Sequence, residues 1–290
     1  MISKKIWNRI IQATWNIAIA EIGDDLIPVN IKWLNHNYSD RWFADPFFLE
    51  ESPDNYIILA EEFMLYNNKG RICKLTVEKK EMNLIRNETL LEKETHLSFP
   101  NILINEGAEV FFYPENNASG RFTIYRLTKQ GPVLSTEIPI PMIDPVLLQR
   151  GNGVYYLLGT LPEDANDNVL HIYKSSQHMD RFEEIQRISF SDNIARRAGN
   201  VFEWNGKLIA PGQICNKHYG EGISLQEIRF ADNGSLRMKE IKRLDAKQVT
   251  KMTGFHTYNV RSNLIVMDGY HYGNEFIHDI YFKLRGLKNM

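Results

Sequence analysis

The chain has 290 residues, of which 43% are hydrophobic and 24% charged, and its formal net charge is -2. This composition is that of a globular protein with a large core, and the charge gives no basis for binding a polyanion, so we expect no nucleic-acid partner. Two distant cysteines, Cys73 and Cys215, lack a metal-binding spacing and suggest neither a disulfide framework nor a zinc site. We therefore predict a reducing, cytoplasmic location.

The first residues combine lysines with isolated apolar residues. No small-residue cleavage site follows them, and no run approaches 18 apolar residues, so we expect neither a signal peptide nor a membrane span. Ile6 and Ile10, with Lys4, Lys5 and Arg9, would suit a short amphipathic helix in peripheral contact with a membrane. Packing of this segment on the domain is the favoured alternative.

Strand patterns begin immediately afterwards. In residues 15–22, bulky Trp15, Ile17 and Ile19 alternate with small or polar residues, which predicts a strand with one buried face. From residue 40 onwards, short apolar runs are separated by turn residues. The first run contains the letters FADPFFL at 43–49, and it is followed by a turn and two further runs, as in a β-meander.

This unit recurs along the rest of the chain, each time with a polar residue near the head of its first run. The residues taken as equivalent are Asp45, Asn101, Asp144, Asn200 and Tyr258. Their steps of about 56, 43, 56 and 58 residues have the size of a propeller blade. Five units that close on themselves predict an all-β, five-bladed β-propeller. Because the first strand of each blade lines the axis, we expect the polar heads to converge on one pocket.

We predict one domain over residues 1–290. The predicted blades span approximately 40–94, 95–140, 141–195, 196–252 and 253–290. The last blade has room for three strands, so an N-terminal strand from 15–34 would close the ring. This closure would pair residues 15–22 or 28–34 with residues 276–285.

Two of the polar heads are aspartates that precede proline, Asp45 and Asp144. Proline is tolerated at the first position of a strand, where its missing N–H is not needed. Two carboxylates on a rigid ring can divide the acid and base roles of glycoside hydrolysis. An aspartate that caps a turn is the alternative for either residue, but their occurrence in register on two blades favours function.

The motifs FADPF at 43–47 and IDPV at 143–146 resemble the five-bladed propellers of the arabinanase, levansucrase and invertase group, especially glycoside hydrolase family 43. The resemblance implies Asp45 as general base and Asp144 as the residue that tunes and orients. The family's acid is a glutamate at the head of the fourth blade, where this chain has Ala198. Loss of that acid lowers the rate of hydrolysis by a factor of about 10²–10⁴. Glu115 is the preferred substitute acid and Glu221 the second choice.

Several other residues are candidates for substrate binding. Arg197, with Arg196, could clamp a phosphate or carboxylate or form a surface pair. Glu61 and Glu62 end the second predicted strand of the first unit, and Glu115 ends that of the second unit. For all three, solvated rim charges are the favoured interpretation. The predicted binding residues are His96, Arg197, Asn200, Tyr219, His256 and Tyr258.

His256 lies in a Gly-X-His-like element that resembles one facing a central ion or water in family 43. A single histidine does not supply the oxygen ligands that a hard cation requires. We therefore expect no metal or other cofactor, and leave a central divalent cation near His256 as the open alternative.

A broader set of motifs, among them HLSFP at 96–100, RAGN at 197–200 and HTYN at 256–259, is similar to the N-terminal domain of plant glucosamine inositolphosphorylceramide transferases and to bacterial propellers fused to formyltransferases. This resemblance implies a sugar-handling fold. One hypothesis is a carbohydrate-active enzyme that cleaves or transfers a glycosyl group of a cell-surface glycan or glycolipid. The other is a noncatalytic propeller that binds a sugar or nucleotide-sugar and partners a separate transferase.

Overall fold

The computed structural model describes residues 13–273 except 106, 152, 165–166 and 176–178. In chain order its strands are β1 (Ala13–Ile22), β2 (Pro28–Trp33), β3 (Arg41–Glu51), β4 (Asn55–Met64), β5 (Lys69–Glu78), β6 (Leu84–Leu91), β7 (Ser98–Ile104), β8 (Val110–Glu115), β9 (Phe122–Thr128), β10 (Gly131–Ile138), β11 (Ile143–Arg150), β12 (Val154–Thr160), β13 (Val169–Ser175), β14 (Glu183–Ser189), β15 (Phe202–Trp204), β16 (Lys207–Ile214), β17 (Gly222–Phe230), β18 (Leu236–Asp245), β19 (Tyr258–Arg261) and β20 (Leu264–Tyr272).

These strands form five antiparallel sheets of four strands each, arranged as a five-bladed β-propeller, which confirms the predicted fold. Blades I to IV contain consecutive strands, β3 to β6, β7 to β10, β11 to β14 and β15 to β18. Helical structure in the described residues is confined to two short 3-10 turns and one helical turn, α1 (Ala246–Val249). In the part of the chain that the structure describes, no helix is long and apolar enough to cross a membrane.

Blade V joins the beginning and the end of the described chain, with the strand order β19, β20, β1, β2. Strand β1 pairs with β20 from Ala13 opposite Tyr272 to Glu21 opposite Leu264. The predicted partner of the N-terminal strand was the segment 276–285, which lies outside the described residues. Within the described residues, β1 pairs with β20, the second strand of the last blade, on one side and with β2 on the other.

Apolar side chains fill the spaces between the blades. Phe47 of blade I meets Phe99 of blade II edge to face, with ring centroids 5.0 Å apart, and both rings are buried. Ile17 of β1 belongs to the same buried cluster as Phe43 of β3 and Val266 of β20. Each such side chain contributes about 1.5–3 kcal/mol when fully buried, so the N-terminal strand holds blade V against blade I.

The first strands of blades I to III, which are the inner strands at the axis, share an irregularity close to their first residues. The register of β3, β7 and β11 shifts there, and φ is positive at Asp45 (50°), Phe99 (44°) and Asp144 (44°). Bulges of this kind redirect a side chain. They also correct the predicted alignment, because the structural equivalent of the two aspartates in blade II is Phe99 and not Asn101.

Deletion of residues 1–35 removes β1 and β2 and exposes the edge of β20 together with the core surface that Ile17 covered. We expect the truncated chain to lose cooperative thermal unfolding in circular dichroism. Addition of a synthetic peptide covering residues 13–35 should restore part of the transition. A truncated chain that melts cooperatively at the temperature of the intact chain would contradict this role for the N-terminal strands.

Candidate functional site

A cavity of about 210 Å³ lies where the heads of the inner strands converge. Its walls combine carboxyl groups with aromatic rings. The lining residues are Trp15, Trp42, Ala44, Asp45, Glu61, Phe63, His96, Ser98, Glu115, Asp144, Arg196, Tyr219 and His256. Three other hollows in the described residues, of about 220, 350 and 700 Å³, contain no comparable group of buried carboxyls. We therefore take the central cavity as the candidate site.

Asp45 is held by blades II and V at once. Its carboxylate accepts hydrogen bonds from the backbone N–H of Phe99 (3.1 Å) and the hydroxyl of Thr257 (3.0 Å). Nε2 of His256 lies 3.4 Å from the same carboxylate, and Nδ1 of His256 lies 2.7 Å from Asp268. The result is a chain of contacts from Asp268 through the imidazole to Asp45.

The charges along this chain follow from burial and from the neighbouring groups. Burial raises the pKa of Asp45 to about 6, against the lowering influence of His256. Burial alone would lower the pKa of His256, but the charges of Asp268 and Asp45 raise it overall. Burial would raise the pKa of Asp268, but His256 and several hydrogen bonds bring it below its usual value. The imidazolium is thus paired with Asp268, while Asp45 changes charge near pH 6.

Candidate ligand atoms of Asp45, His256 and Asp268 lie within 4.8 Å of one another. Asp268, however, already accepts hydrogen bonds from the backbone N–H groups of Asp45, His256 and Thr257, in addition to its contact with the imidazole. These donors occupy the lone pairs of the carboxylate, and a hard cation requires six or more oxygen ligands. The group therefore fits a hydrogen-bonded chain better than a cation site.

Glu115 and Asp144 form a second group around Arg196. Nε of Arg196 lies 2.5 Å from Asp144, and its Nη2 lies 3.9 Å from Glu115. The guanidinium is centred 5.0 Å over the ring of Tyr219, and Gln213 donates to Asp144 at 2.7 Å. Both carboxyl groups therefore depend on one cation.

Glu115 has the electrostatics of an acid that keeps its proton. Burial raises its pKa well above the usual value, the negative charge of Asp144 adds to the rise, and Arg196 opposes it. The backbone N–H of Asp144 donates to Oε2 of Glu115 at 3.0 Å, which fixes the orientation of the side chain. A carboxylic acid held neutral in this way can donate a proton to a bound group.

Glu61 is a carboxyl that the sequence analysis placed on a solvated rim, and the structure corrects this. It is 5% exposed, and its Oε1 makes no hydrogen bond within the described part of the chain. Nε2 of His96 lies 3.3 Å away, and Nδ1 of His96 accepts from the N–H of Gly70 at 2.9 Å. A Cβ at Gly70 would lie 2.5 Å from the carbonyl oxygen of Leu97 and still closer to Glu61, so only glycine permits this packing.

Aromatic rings form two further walls, which the sequence analysis also missed. Trp42 stacks on Phe63 with centroids 4.4 Å apart and planes within 2° of parallel. Trp15 lies 4.1 Å from the ring of His256 and 4.5 Å from that of Tyr270. The indole nitrogen of Trp42 is buried and makes no hydrogen bond to the residues that the structure describes. Aromatic faces with one polar tip suit a ligand that has apolar faces and hydroxyl edges.

Three predicted binding residues do not line the cavity. Arg197 is fully buried and donates to backbone carbonyls and to Gln226, and its burial lowers its pKa to about 9. The hydroxyl of Tyr258 donates to the carbonyl of Leu26. Asn200 borders a different hollow, together with the aromatic rings of β3. Their contacts are structural, and Arg196 is the arginine that the cavity contains.

The fourth blade does not place a carboxyl where the resemblance implied one. Ala198 is fully buried, and its carbonyl accepts from the N–H of Tyr258. Glu221, the second choice for an acid, contacts Lys217 and is not among the cavity-lining residues. Of the two substitutes, only Glu115 lies at the cavity.

Residues 22–262 match the model of the family described as glucosamine inositolphosphorylceramide transferase 1, N-terminal. The chain belongs to this family. Glucosamine inositolphosphorylceramide transferase 1 of Arabidopsis thaliana is 26% identical over 161 residues, which cover 52% of this chain and 21% of the relative. Its counterpart in Oryza sativa subsp. japonica is 30% identical over 148 residues, covering 48% and 20%. The match therefore spans about a fifth of these relatives.

Solved structures show the same fold at low identity. An exo-beta-1,3-galactanase from Clostridium thermocellum superposes with a TM-score of 0.56 at 13% identity, covering 77% of this chain and 59% of the other. An alpha-L-arabinanase from Cellvibrio cellulosa, solved with arabinohexaose, gives a TM-score of 0.51 at 11% identity, covering 86% and 95%. This family member thus has the propeller architecture of family 43 glycoside hydrolases.

The uncompensated burial of Glu61 predicts a measurable pH dependence of stability. Its pKa is raised well above the usual value by burial and then by the charge of Asp45. The folded state thus binds more protons than the unfolded state above the unfolded pKa. This group alone lowers the free energy of unfolding by about 1.4 kcal/mol per pH unit, until pH passes its folded pKa.

We expect Glu61→Gln to remove this loss, so the variant should gain stability relative to wild type as pH rises from 5 to 8. Urea denaturation at several pH values measures the difference, and Glu50→Gln, at an exposed position of β3, is the control. Parallel stability curves for Glu61→Gln and wild type would show that Glu61 is ionised in the folded protein at no cost.

Proposed function

We propose that this domain is carbohydrate-active: its central cavity binds a single glycosyl unit and cleaves or transfers it, with Asp45 as general base and Glu115 as general acid. The observation that carries the proposal is that two carboxyls with different partners line one small cavity: Asp45 lies against His256, and Glu115 accepts from the backbone N–H of Asp144. The pKa of Asp45 is about 6, and that of Glu115 lies well above the usual value. Environments that separate the pKa values of two carboxyls are what acid–base chemistry requires.

In this scheme Asp45 takes the proton of the attacking hydroxyl or water, and Glu115 gives its proton to the leaving oxygen. Asp144 orients Glu115 through its backbone N–H, and its own charge helps Glu115 to keep its proton. The charge of His256 limits the rise in the pKa of Asp45 that burial causes. Each residue thus has a role that matches its contacts.

The size and walls of the cavity suit a monosaccharide unit. Its volume of about 210 Å³ is below the 300–1,000 Å³ of pockets for drug-sized ligands. The family membership supports a glycosyl group of a cell-surface glycan or glycolipid, since the plant relatives are named as glucosamine inositolphosphorylceramide transferases. The fold shared with the galactanase is consistent with this substrate class.

A noncatalytic propeller that binds a sugar or nucleotide-sugar and serves a separate transferase is the second candidate. It is favoured by Ala198, which stands where the resemblance to family 43 implied the acid. Calorimetry separates the two functions, because binding of a sugar with no product after prolonged incubation favours the second candidate over the first.

Substitution of the two carboxyls should affect turnover in different ways. A panel of glycosides with nitrophenyl and with alkyl leaving groups identifies the substrate. Asp45→Asn should lower kcat about 10²- to 10⁴-fold on both kinds, because the base is lost. Glu115→Gln should lower it by a similar factor on alkyl glycosides and far less on nitrophenyl glycosides, whose leaving group needs no proton.

The matched control for these substitutions is Asp54→Asn, at an exposed turn of blade I. Wild-type turnover in Asp45→Asn, in a preparation active on the same substrate, would remove Asp45 from the mechanism.

The pH profile provides a separate test of the same assignment. Turnover should rise as Asp45 loses its proton near pH 6 and fall when Glu115 loses its proton at higher pH. Replacement of His256 by glutamine removes a positive charge that lowers the pKa of Asp45, so the acidic limb should move to higher pH.

His271→Gln, an exposed substitution on β20, should leave both limbs of the profile in place. An acidic limb that stays at the same pH in His256→Gln would show that the imidazolium does not set the charge of Asp45.

A further inference from the structure

Two polar groups of the cavity wall have no hydrogen-bond partner within the described part of the chain. One is the buried indole nitrogen of Trp42, and the other is Oε1 of Glu61, a side chain that is 5% exposed. Both residues line the central cavity. A buried polar group without a partner costs about 1–3 kcal/mol, so two of them in one cavity wall mark a place that a ligand completes.

The register of blade I places these two groups side by side. In the pairing of β3 with β4, Trp42 lies opposite Phe63 and Ala44 lies opposite Glu61. Alternate residues of a strand share a face, and all four of these residues line the cavity. Trp42 and Glu61 are therefore diagonal neighbours on the cavity face, about 7–8 Å apart, within common reach of one bound group.

Ala44 leaves room for such a group. Its side chain is a single methyl, and it lies between Trp42 on the same strand and Glu61 on the next. The ring of Phe63 stacks on the indole with centroids 4.4 Å apart and fixes the plane of Trp42. We call the space bounded by Trp42, Ala44 and Glu61 the blade I niche.

Glu62, on the opposite face of β4, shows by contrast that Glu61 is an acid and not a carboxylate. Burial would raise the pKa of Glu62, but hydrogen bonds from Arg71, Arg41 and Asn87 bring it below its usual value. The pKa of Glu61 is instead raised well above its usual value, by burial and then by the charge of Asp45. Glu61 therefore keeps its proton and can donate it in a hydrogen bond.

His96 does not accept that proton. Its Nδ1 accepts a hydrogen bond from the N–H of Gly70 at 2.9 Å, and burial lowers its pKa, so the ring is neutral and its own proton lies on Nε2. That nitrogen lies 3.3 Å from Oε1 of Glu61 and forms no hydrogen bond with it. The acid proton of Glu61 thus remains available to a ligand.

The chemistry of the niche selects an uncharged oxygen. An indole N–H only donates, and a protonated carboxyl donates through its O–H, whereas a hydroxyl oxygen accepts up to two hydrogen bonds. The charge of Asp45, which opposes a negative charge on Glu61, would also oppose the anionic oxygen of a phosphate or carboxylate. A hydroxyl group fits both the donors and the charge.

We propose that Trp42 and Glu61 determine specificity by donating together to one hydroxyl group of the bound sugar, held over the methyl of Ala44. This inference rests on the proposed carbohydrate function and defines the ligand as a sugar with a free hydroxyl at the ring position that faces blade I. A sugar deoxygenated at that position would leave both buried donors unpaired.

The experiment is a deoxygenation scan. Isothermal titration calorimetry at pH 6.5 measures binding of the methyl glycosides of glucose, galactose, mannose and arabinose, and then of the monodeoxy analogues of the one that binds most tightly. Removal of one particular hydroxyl should weaken binding at least about tenfold, or about 1.4 kcal/mol, because it leaves buried donors unpaired.

Variants of the two residues identify that hydroxyl as the one in the niche. Trp42→Phe, which keeps the ring stack, and Glu61→Met should each reduce the loss at this position alone, and the double variant should abolish it. Glu61→Gln, whose amide can donate, should retain most of the loss, and the exposed control Glu50→Met should retain all of it.

A second readout needs no variant. In a ¹H–¹⁵N spectrum of the wild-type protein, the indole proton of Trp42 should move downfield when the parent glycoside binds, because the new hydrogen bond deshields it. The analogue that lacks the critical hydroxyl should produce a smaller downfield shift at saturation.

The outcomes distinguish this inference from the function on which it rests. A scan in which no hydroxyl matters tenfold, or a loss that is unchanged in a folded double variant, would overturn the inference and leave the carbohydrate function standing. A Glu61→Gln variant that behaves like Glu61→Met would overturn the role of Glu61 as a donor. Failure of every glycoside to bind would overturn the proposed function itself.

Discussion

Hydrogen bonds around the propeller axis tie each inner strand to the next blade, and the rest of the structure depends on them. We call the residues involved the axial collar. Its bonds run from the N–H of Phe99 to Asp45, from the N–H of Asp144 to Glu115, from Gln213 and Arg196 to Asp144, from the N–H of Tyr258 to the carbonyl of Ala198, and from the N–H of Asp45 to Asp268. The carboxyls of the candidate site therefore also hold the ring closed.

This double role explains the local backbone. The positive φ values at Asp45, Phe99 and Asp144 cost about 1–3 kcal/mol each, least for aspartate, which tolerates the left-handed region. The collar bonds offset that cost and fix the side chains in place. A preorganised set of carboxyls is what both binding and catalysis require, and isosteric amide variants disturb it least.

The sequence was sufficient for the fold and for part of the site. Short apolar runs typical of strands recur along the chain at intervals of the length of one blade. The two Asp-Pro motifs mark the same position on blades I and III. The convergence of Asp45 and Asp144 could therefore be predicted. The bulges could not be predicted, because an extra residue leaves no mark in a hydrophobic pattern. For this reason Asn101 was aligned in place of Phe99.

Local register also decides which neighbouring residue reaches the cavity. Arg196 faces it and Arg197 is buried behind it, although the sequence presents them as a pair. Glu61 was expected in solvent because charged residues at strand ends are usually exposed. Its burial depends on His96 and on the absence of a side chain at Gly70, which are contacts between segments distant in sequence.

The central claim is that the axial cavity binds a sugar, and the tryptophan side chains offer a direct measurement. In a ¹H–¹⁵N spectrum, titration with the sugar that binds should shift the indole signals of Trp15 and Trp42, which line the cavity. The signals of Trp33 and Trp204, which pack against a cluster formed by residues of blades IV and V, should stay in place. Shifts confined to Trp33 and Trp204, or saturating shifts at none of these four side chains, would contradict the account.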